Sequence, residues 1–182
     1  MRSRCFFFAL GLALASLCGL EAVWAGEMAT PFTLSSSAFE PGGQIPSRYT
    51  CDAADQSPAL AWRDGPSGTR SLALIVDDPD APAGTWVHWV VYDLPADMTT
   101  LVEGVVKGDT LPNGAKQGIN DFRKVGYNGP CPPPGKPHRY VFKLYALDGP
   151  TDLKPRATKA QLLRTIEGHL LGETEIIGTY KR

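Results

Sequence analysis

The sequence predicts a mostly β, loop-rich domain with one helix near its C-terminus, and three observations carry that reading. Sixteen prolines and nineteen glycines in 182 residues interrupt the chain too often for a helical bundle. Apolar and alternating segments come in runs of strand length, bounded by turn residues. One segment alone, after Thr158, has convincing helical spacing. Apolar residues make up 43% and charged residues 20% of the chain, enough to build a core. That balance excludes disordered, collagenous and coiled-coil classes, and the length is that of about one domain. A net charge of −1 leaves no basic footprint for nucleic acid.

The N-terminus reads separately. Met1 to Arg4 is short and basic, Cys5 to Leu20 is apolar throughout, and Val23-Trp24-Ala25 places small residues before a cleavage point. This is the pattern of a secretory signal peptide over residues 1–25, followed by a single domain over 26–182. The apolar run falls short of the ~20 residues that a membrane span needs. Leu17 before Cys18 does not suit lipidation. The expected product is a periplasmic or secreted protein without a stable membrane anchor. Its net charge is −2, because Arg2, Arg4 and Glu21 leave with the signal. Cys51 and Cys131 remain, an even number in an oxidising compartment, and a disulfide between them is expected.

Along the domain, Ser71 to Val76 reads as a strand closed by the acidic, proline-bounded turn Asp77-Asp78-Pro79-Asp80-Ala81-Pro82. Thr85 to Leu94 reads as a central strand, apolar on both faces: Thr85, Val87, Trp89 and Val91 on one, Trp86, His88, Val90 and Tyr92 on the other. Gly104 to Pro137, dense in Gly, Pro and Asn, is too long for an idle connection and reads as a functional loop. His138 to Leu147 alternates, with His138, Tyr140, Phe142 and Leu144 on one face. Thr158 with Gln161 forms a capping-box pattern ahead of the stripe Leu162, Leu163, Ile166 and Leu170, with Gly172 as the stop. Ile176 to Tyr180 reads as a closing strand.

Three histidines occur. His169, on the helix flank, reads as a solvated residue. His88 and His138 lie inside apolar strands, near a turn whose prolines restrict Asp78 and Asp80. A carboxylate so placed can accept an imidazole N–H, fixing its tautomer and favouring its protonated form. Two chemistries are open. The imidazoles can donate to an anion such as a phosphate group, helped by loop amides, or two His and one carboxylate can form a facial metal triad. No hydrolase nucleophile motif, H-E-x-x-H or Walker loop is present.

Asp78-Pro79-Asp80-Ala81-Pro82, Trp86-Val87-His88-Trp89, and Gly129-Pro130-Cys131-Pro132-Pro133 leading into His138-Arg139-Tyr140 together resemble the phosphatidylethanolamine-binding protein family, in its bacterial Raf-kinase-inhibitor-like branch. Tyr49-Thr50-Cys51-Asp52, Ser57 to Trp62, Asn120-Asp121-Phe122 and Gly126-Tyr127 support the resemblance, which covers the chain from about Phe32 onward. It implies a β-sandwich of two antiparallel sheets, Greek-key in type, with a small pocket at one end for phosphate-like anions and phospholipid head groups. The matching positions are Asp78, Asp80, His88 and His138, with Tyr127, Gly129 and Pro130 as wall or loop contacts. The export signal and the short end after Tyr180 depart from the better-studied eukaryotic members, so neither a C-terminal lid helix nor a role with a cytosolic kinase is expected.

The function expected is therefore an exported binder of a small anionic or phosphorylated ligand, with no cofactor and no metal. A hydrolase or metal-dependent enzyme using His88 or His138 is one alternative. A module that inhibits a protein partner is another.

Overall fold

The protein's structure, a computed structural model, describes residues 30–182. The expected signal segment lies outside the described residues. Two antiparallel sheets and one helix make three layers. The smaller sheet joins β1 (Thr33–Ser36), β2 (Leu60–Arg63) and β5 (Thr100–Leu101) in the order β1-β2-β5. The larger sheet has the order β6-β4-β3-β7-β8, from β3 (Ser71–Asp78), β4 (Trp86–Pro95), β6 (Lys116–Gln117), β7 (His138–Leu147) and β8 (Leu170–Tyr180). The helix α1 (Lys159–Ile166) lies against the outer face of the larger sheet.

Strand alternation divides β3 between two cores. Leu72, Leu74 and Val76 face the smaller sheet, with Trp62, Phe142 and Leu144. Ala73 and Ile75 face α1, with Tyr92, Leu147, Leu162 and Ile166. Asp78 continues the first series and Asp77 the second, so adjacent carboxylates at the strand end belong to opposite sides of the sheet. Asp77 pairs with Lys159 of the helix. Its pKa is raised by burial, with Lys159 opposing the rise.

The structure corrects the sequence reading in four places. The faces of β4 are not a simple alternation. Val76 pairs with Trp89 and Asp77 with Val87, so His88 is an extra residue in a β-bulge. The bulge shifts the phase: Val87 joins Val90 and Tyr92 on the helix side, while Trp89 and Val91 face the smaller sheet. The helix ends at Ile166, where Glu167 becomes extended at ψ 122° and Gly168 turns left-handed at φ 84°. Leu170, expected on the helical stripe, begins β8 instead, and Gly172 is a strand residue packed on Pro66. His169 is thus off the helix, and its exposed ring pairs with Asp148. The long segment 104–137 is also less bare than its composition suggests, since it contains β6 and an Ile119–Val125 bridge.

Candidate functional site: a two-histidine pocket at the end of the sandwich

β3 ends where β7 begins, because the two run antiparallel with Asp77 opposite Val141. Asp78 and His138 therefore meet at the same end, on the same face. Both are buried, and His138 Nδ1 lies 2.8 Å from Asp78 Oδ2. In that contact the imidazole donates and the carboxylate accepts, which leaves Nε2 of His138 for other partners. The second oxygen, Oδ1, accepts the Asp80 amide at 2.9 Å, closing the turn that the prolines constrain.

His88 enters from the bulge in β4. Its Nδ1 donates to the Asn128 carbonyl at 2.6 Å, so here too Nε2 is the nitrogen left free of that bond. Phe122 and Tyr140 stand edge-on to the ring, each with centroids 5.2 Å away. Burial lowers the His88 pKa, against the opposing pull of the Asn128 carbonyl and of the Asp78 and Asp77 charges. At neutral pH His88 is therefore the neutral tautomer, with Nε2 a lone-pair acceptor. The buried Tyr140 hydroxyl lies beside Asp78 and the Cys131 backbone, and burial, then the Asp78 charge, push its pKa up.

These groups share one cavity of about 280 Å³, lined by Asp78, His88 and His138 together with Trp86, Phe122 and the loop residues around them. Ala81, Pro82 and Ala83 form one rim, and Cys131, Pro132 and Pro133 the other. The cavity thus has apolar walls and a polar end, a form suited to a small ligand with an ionisable tip.

The remaining expected residues are close by without lining the cavity. Asp80 is turned outward, where it accepts from the Arg139 amide and Nε at 2.9 Å and from Nη2 at 2.7 Å. That guanidinium holds its pKa down at about 2. Its role is to tie the β3–β4 turn to the start of β7. Tyr127 is buried and donates to the Tyr49 carbonyl at 2.8 Å. Gly129 allows two loops to touch: a Cβ there would stand 2.1 Å from the Tyr49 carbonyl oxygen. Pro130 accepts from the Cys51 amide at 3.1 Å. Tyr127, Gly129 and Pro130 therefore form the scaffold behind the wall, and the wall itself begins at Cys131.

Two further residues organise the site: Asn120, carried in the sequence reading only as part of the Asn120-Asp121-Phe122 motif, and Asp55, which it did not single out. Asn120 is buried, and its Nδ2 donates to the carbonyls of His88 and Gly126 and to Asn128 Oδ1. Its Oδ1 accepts the amides of Phe122 and Lys124. Asp55, left-handed at φ 51°, accepts from the Gly129 amide at 2.6 Å and from Asn128 Nδ2 at 3.2 Å. A lone buried-network Asn or Asp has no sequence period to reveal it. Cys51 and Cys131 form a disulfide, with Cα atoms 5.4 Å apart. Among the described residues no group of three His, Cys, Asp or Glu side chains is placed to hold a metal ion.

Two packed antiparallel sheets with a histidine-ended pocket define a β-sandwich with an end site. A model of the phosphatidylethanolamine-binding protein family matches residues 35–181. A "UPF0098 protein" of Methanothermobacter thermautotrophicus is 52% identical over 149 residues, covering 82% of this chain and 98% of the relative. A second, from Aquifex aeolicus, is 49% identical, covering 81% of this chain and 86% of the relative. Of solved structures, the E. coli protein YbcL, described as a member of the mammalian PEBP family, superposes with a TM-score of 0.77. It is 34% identical, covering 83% of this chain and 98% of that one. A PEBP homologue of Chlamydia trachomatis, CT736, superposes with a TM-score of 0.76 at 40% identity, covering 83% of this chain and 97% of that one. The chain belongs to the phosphatidylethanolamine-binding protein family.

Proposed function

We propose that this protein is an exported, Raf-kinase-inhibitor-like binder of a small phosphate-like anion, free or as a phospholipid head group, in the His88–His138 pocket. One observation carries the reading: both imidazoles commit Nδ1 to fixed acceptors, Asn128 O and Asp78, and so keep Nε2 for a ligand in a single cavity. Export rests on the N-terminal pattern, and family membership supports ligand binding as the role.

The electrostatics set the form of the ligand. Asp78 opposes a dianion, and neutral His88 offers a lone pair. An anion binds either by bringing its own proton, as a phosphate monoanion does, or by drawing one onto His88. Both routes take up a proton relative to free dianion and neutral imidazole, so affinity rises as pH falls. Isothermal titration with inorganic phosphate and with phosphoethanolamine tests this. Binding should be tighter at about pH 5.5 than at about pH 7.5, because the lower pH supplies the proton that binding takes up. His138→Ala should weaken it by about tenfold to a hundredfold, the loss of one charge-assisted bond of roughly 1.5–3 kcal/mol. Unchanged affinity in His138→Ala, with the fold intact by circular dichroism, removes the pocket from the account.

The Asp78–His138 pair also favours a second reading, hydrolysis with His138 as general base. Turnover of p-nitrophenyl phosphate that is lost in His138→Ala would establish it, and no turnover above the variant's would dismiss it.

A further inference from the structure

The disulfide stands at the boundary between a fixed and an unfixed stretch of the pocket wall. Up to Pro130 the loop is tied down: Asn128 to His88, Gly129 to Asp55, Pro130 to the Cys51 amide. From His138 onward it is strand, paired with Tyr180. Between them, among the described residues, Cys131 to Pro137 makes no backbone–backbone hydrogen bond. Four of its residues are prolines without an N–H. Cys131, Pro132 and Pro133 from this stretch line the cavity. Besides the burial of Pro132 and the Tyr140 hydroxyl beside the Cys131 backbone, the bond to Cys51 anchors this wall.

That bond is accessible, since both cysteines are exposed. One ion pair straddles it, Arg182 Nε lying 3.0 Å from Asp52 Oδ1, with the cation on the Cys131 side and the carboxylate on the Cys51 side. Arg182 Nη1 lies 3.9 Å from Cys131 Sγ, whereas Cys51 Sγ lies 4.0 Å from Asp52 Oδ1. A cation favours a departing thiolate at Cys131, and a carboxylate disfavours one at Cys51.

Building on the ligand-pocket reading, we propose that the Cys51–Cys131 bridge is a reversible modification site for a dithiol reductant, and that its reduction loosens the pocket wall and weakens ligand binding. One thiolate of the dithiol attacks Cys51 Sγ. The S–S bond breaks and its electron pair leaves on Cys131 Sγ, which takes a proton. The second thiol then attacks the mixed disulfide and releases Cys51 as a thiol. The dithiol ends as a disulfide, two electrons poorer, and the protein ends with two thiols. By linkage, ligand in the pocket resists the reduction as much as the reduction opposes ligand.

The test uses the exported protein, oxidised and then reduced with dithiothreitol under native conditions, with thiols trapped by alkylation and weighed by mass spectrometry. Reduction should proceed without loss of the circular dichroism signal. Inorganic phosphate affinity should then fall about tenfold, the size of having to order a few wall residues on binding. Trp86 lines the pocket half-buried while Trp62 and Trp89 are buried, so acrylamide quenching of tryptophan should increase. Glutathione in place of dithiothreitol should leave its trapped adduct on Cys51, and Arg182→Gln should slow reduction several-fold. A Cys51→Ser/Cys131→Ser variant should match the reduced protein in affinity and quenching. Reduction that requires unfolding, or a reduced protein with unchanged affinity and quenching, overturns the proposal. An adduct on Cys131 overturns the direction of attack. If phosphate binds neither form, the anion reading fails on its own, and the quenching comparison still decides whether the bridge latches the wall.

Discussion

At the scale of single residues, the pocket is organised by side chains that do not line it. Asn120 gathers the backbone of His88, Gly126, Phe122 and Lys124 and the side chain of Asn128 around one buried amide. Asn128 in turn fixes the His88 tautomer. Asn120→Ala would strand several of these groups at once, each costing about 1–3 kcal/mol when buried without a partner. We expect a loss of about 3 kcal/mol or more in urea unfolding, together with weaker phosphate binding. A variant as stable as wild type would show that water replaces the network at little cost. The histidines and Asp78 were legible because a polar residue inside an apolar strand stands out against its neighbours. The structural duties of Tyr127, Gly129 and Pro130 were not, because a glycine kept for a 2.1 Å approach and one kept for a ligand look alike in sequence.

At the scale of elements, periodicity revealed the strands it could and failed where the chain breaks its own period. The strands at residues 71–76 and 138–147, and the Thr158–Gln161 capping box, stand as the residues suggested. The bulge at His88 was hidden, because one inserted residue leaves composition unchanged while exchanging faces. The same bulge brings both His88 and Trp89 to the sandwich side, which a regular strand cannot do with neighbours. The helix end was misplaced because Leu170 continues the helical spacing, while Gly168 turns the chain away before reaching it. A Cβ at Gly168 would meet nothing within 4 Å, so its cost is purely conformational. Gly168→Ala should therefore destabilise by about 1–2 kcal/mol, the price of a left-handed alanine. The urea midpoint should fall with phosphate affinity unchanged. An unaltered midpoint would mean that the turn relaxes into another conformation.

At the scale of the whole molecule, the large sheet separates two cores and delivers the ends of β3, β4 and β7 to one pole. The pocket is a consequence of that antiparallel order: Asp78 ends one strand, His138 begins its neighbour, and the bulge lets β4 add His88. That Asp78, His88 and His138 meet at one pole was legible in the motifs, whereas which imidazole nitrogen the fold engages was not. The N-terminal reading makes its own prediction. Sequencing of the protein recovered from the exported fraction should begin at Gly26, and an uncleaved N-terminus in the membrane fraction would contradict export as a free protein. The most direct test of the central claim is long-range nitrogen NMR of the imidazoles during a titration with inorganic phosphate. Without ligand at neutral pH, His88 should show a protonated Nδ1 and a bare Nε2. With phosphate, the Nε2 resonances of His88 and His138 should both move toward the protonated, hydrogen-bonded position. Phosphate that binds while both Nε2 resonances stay still would contradict the account.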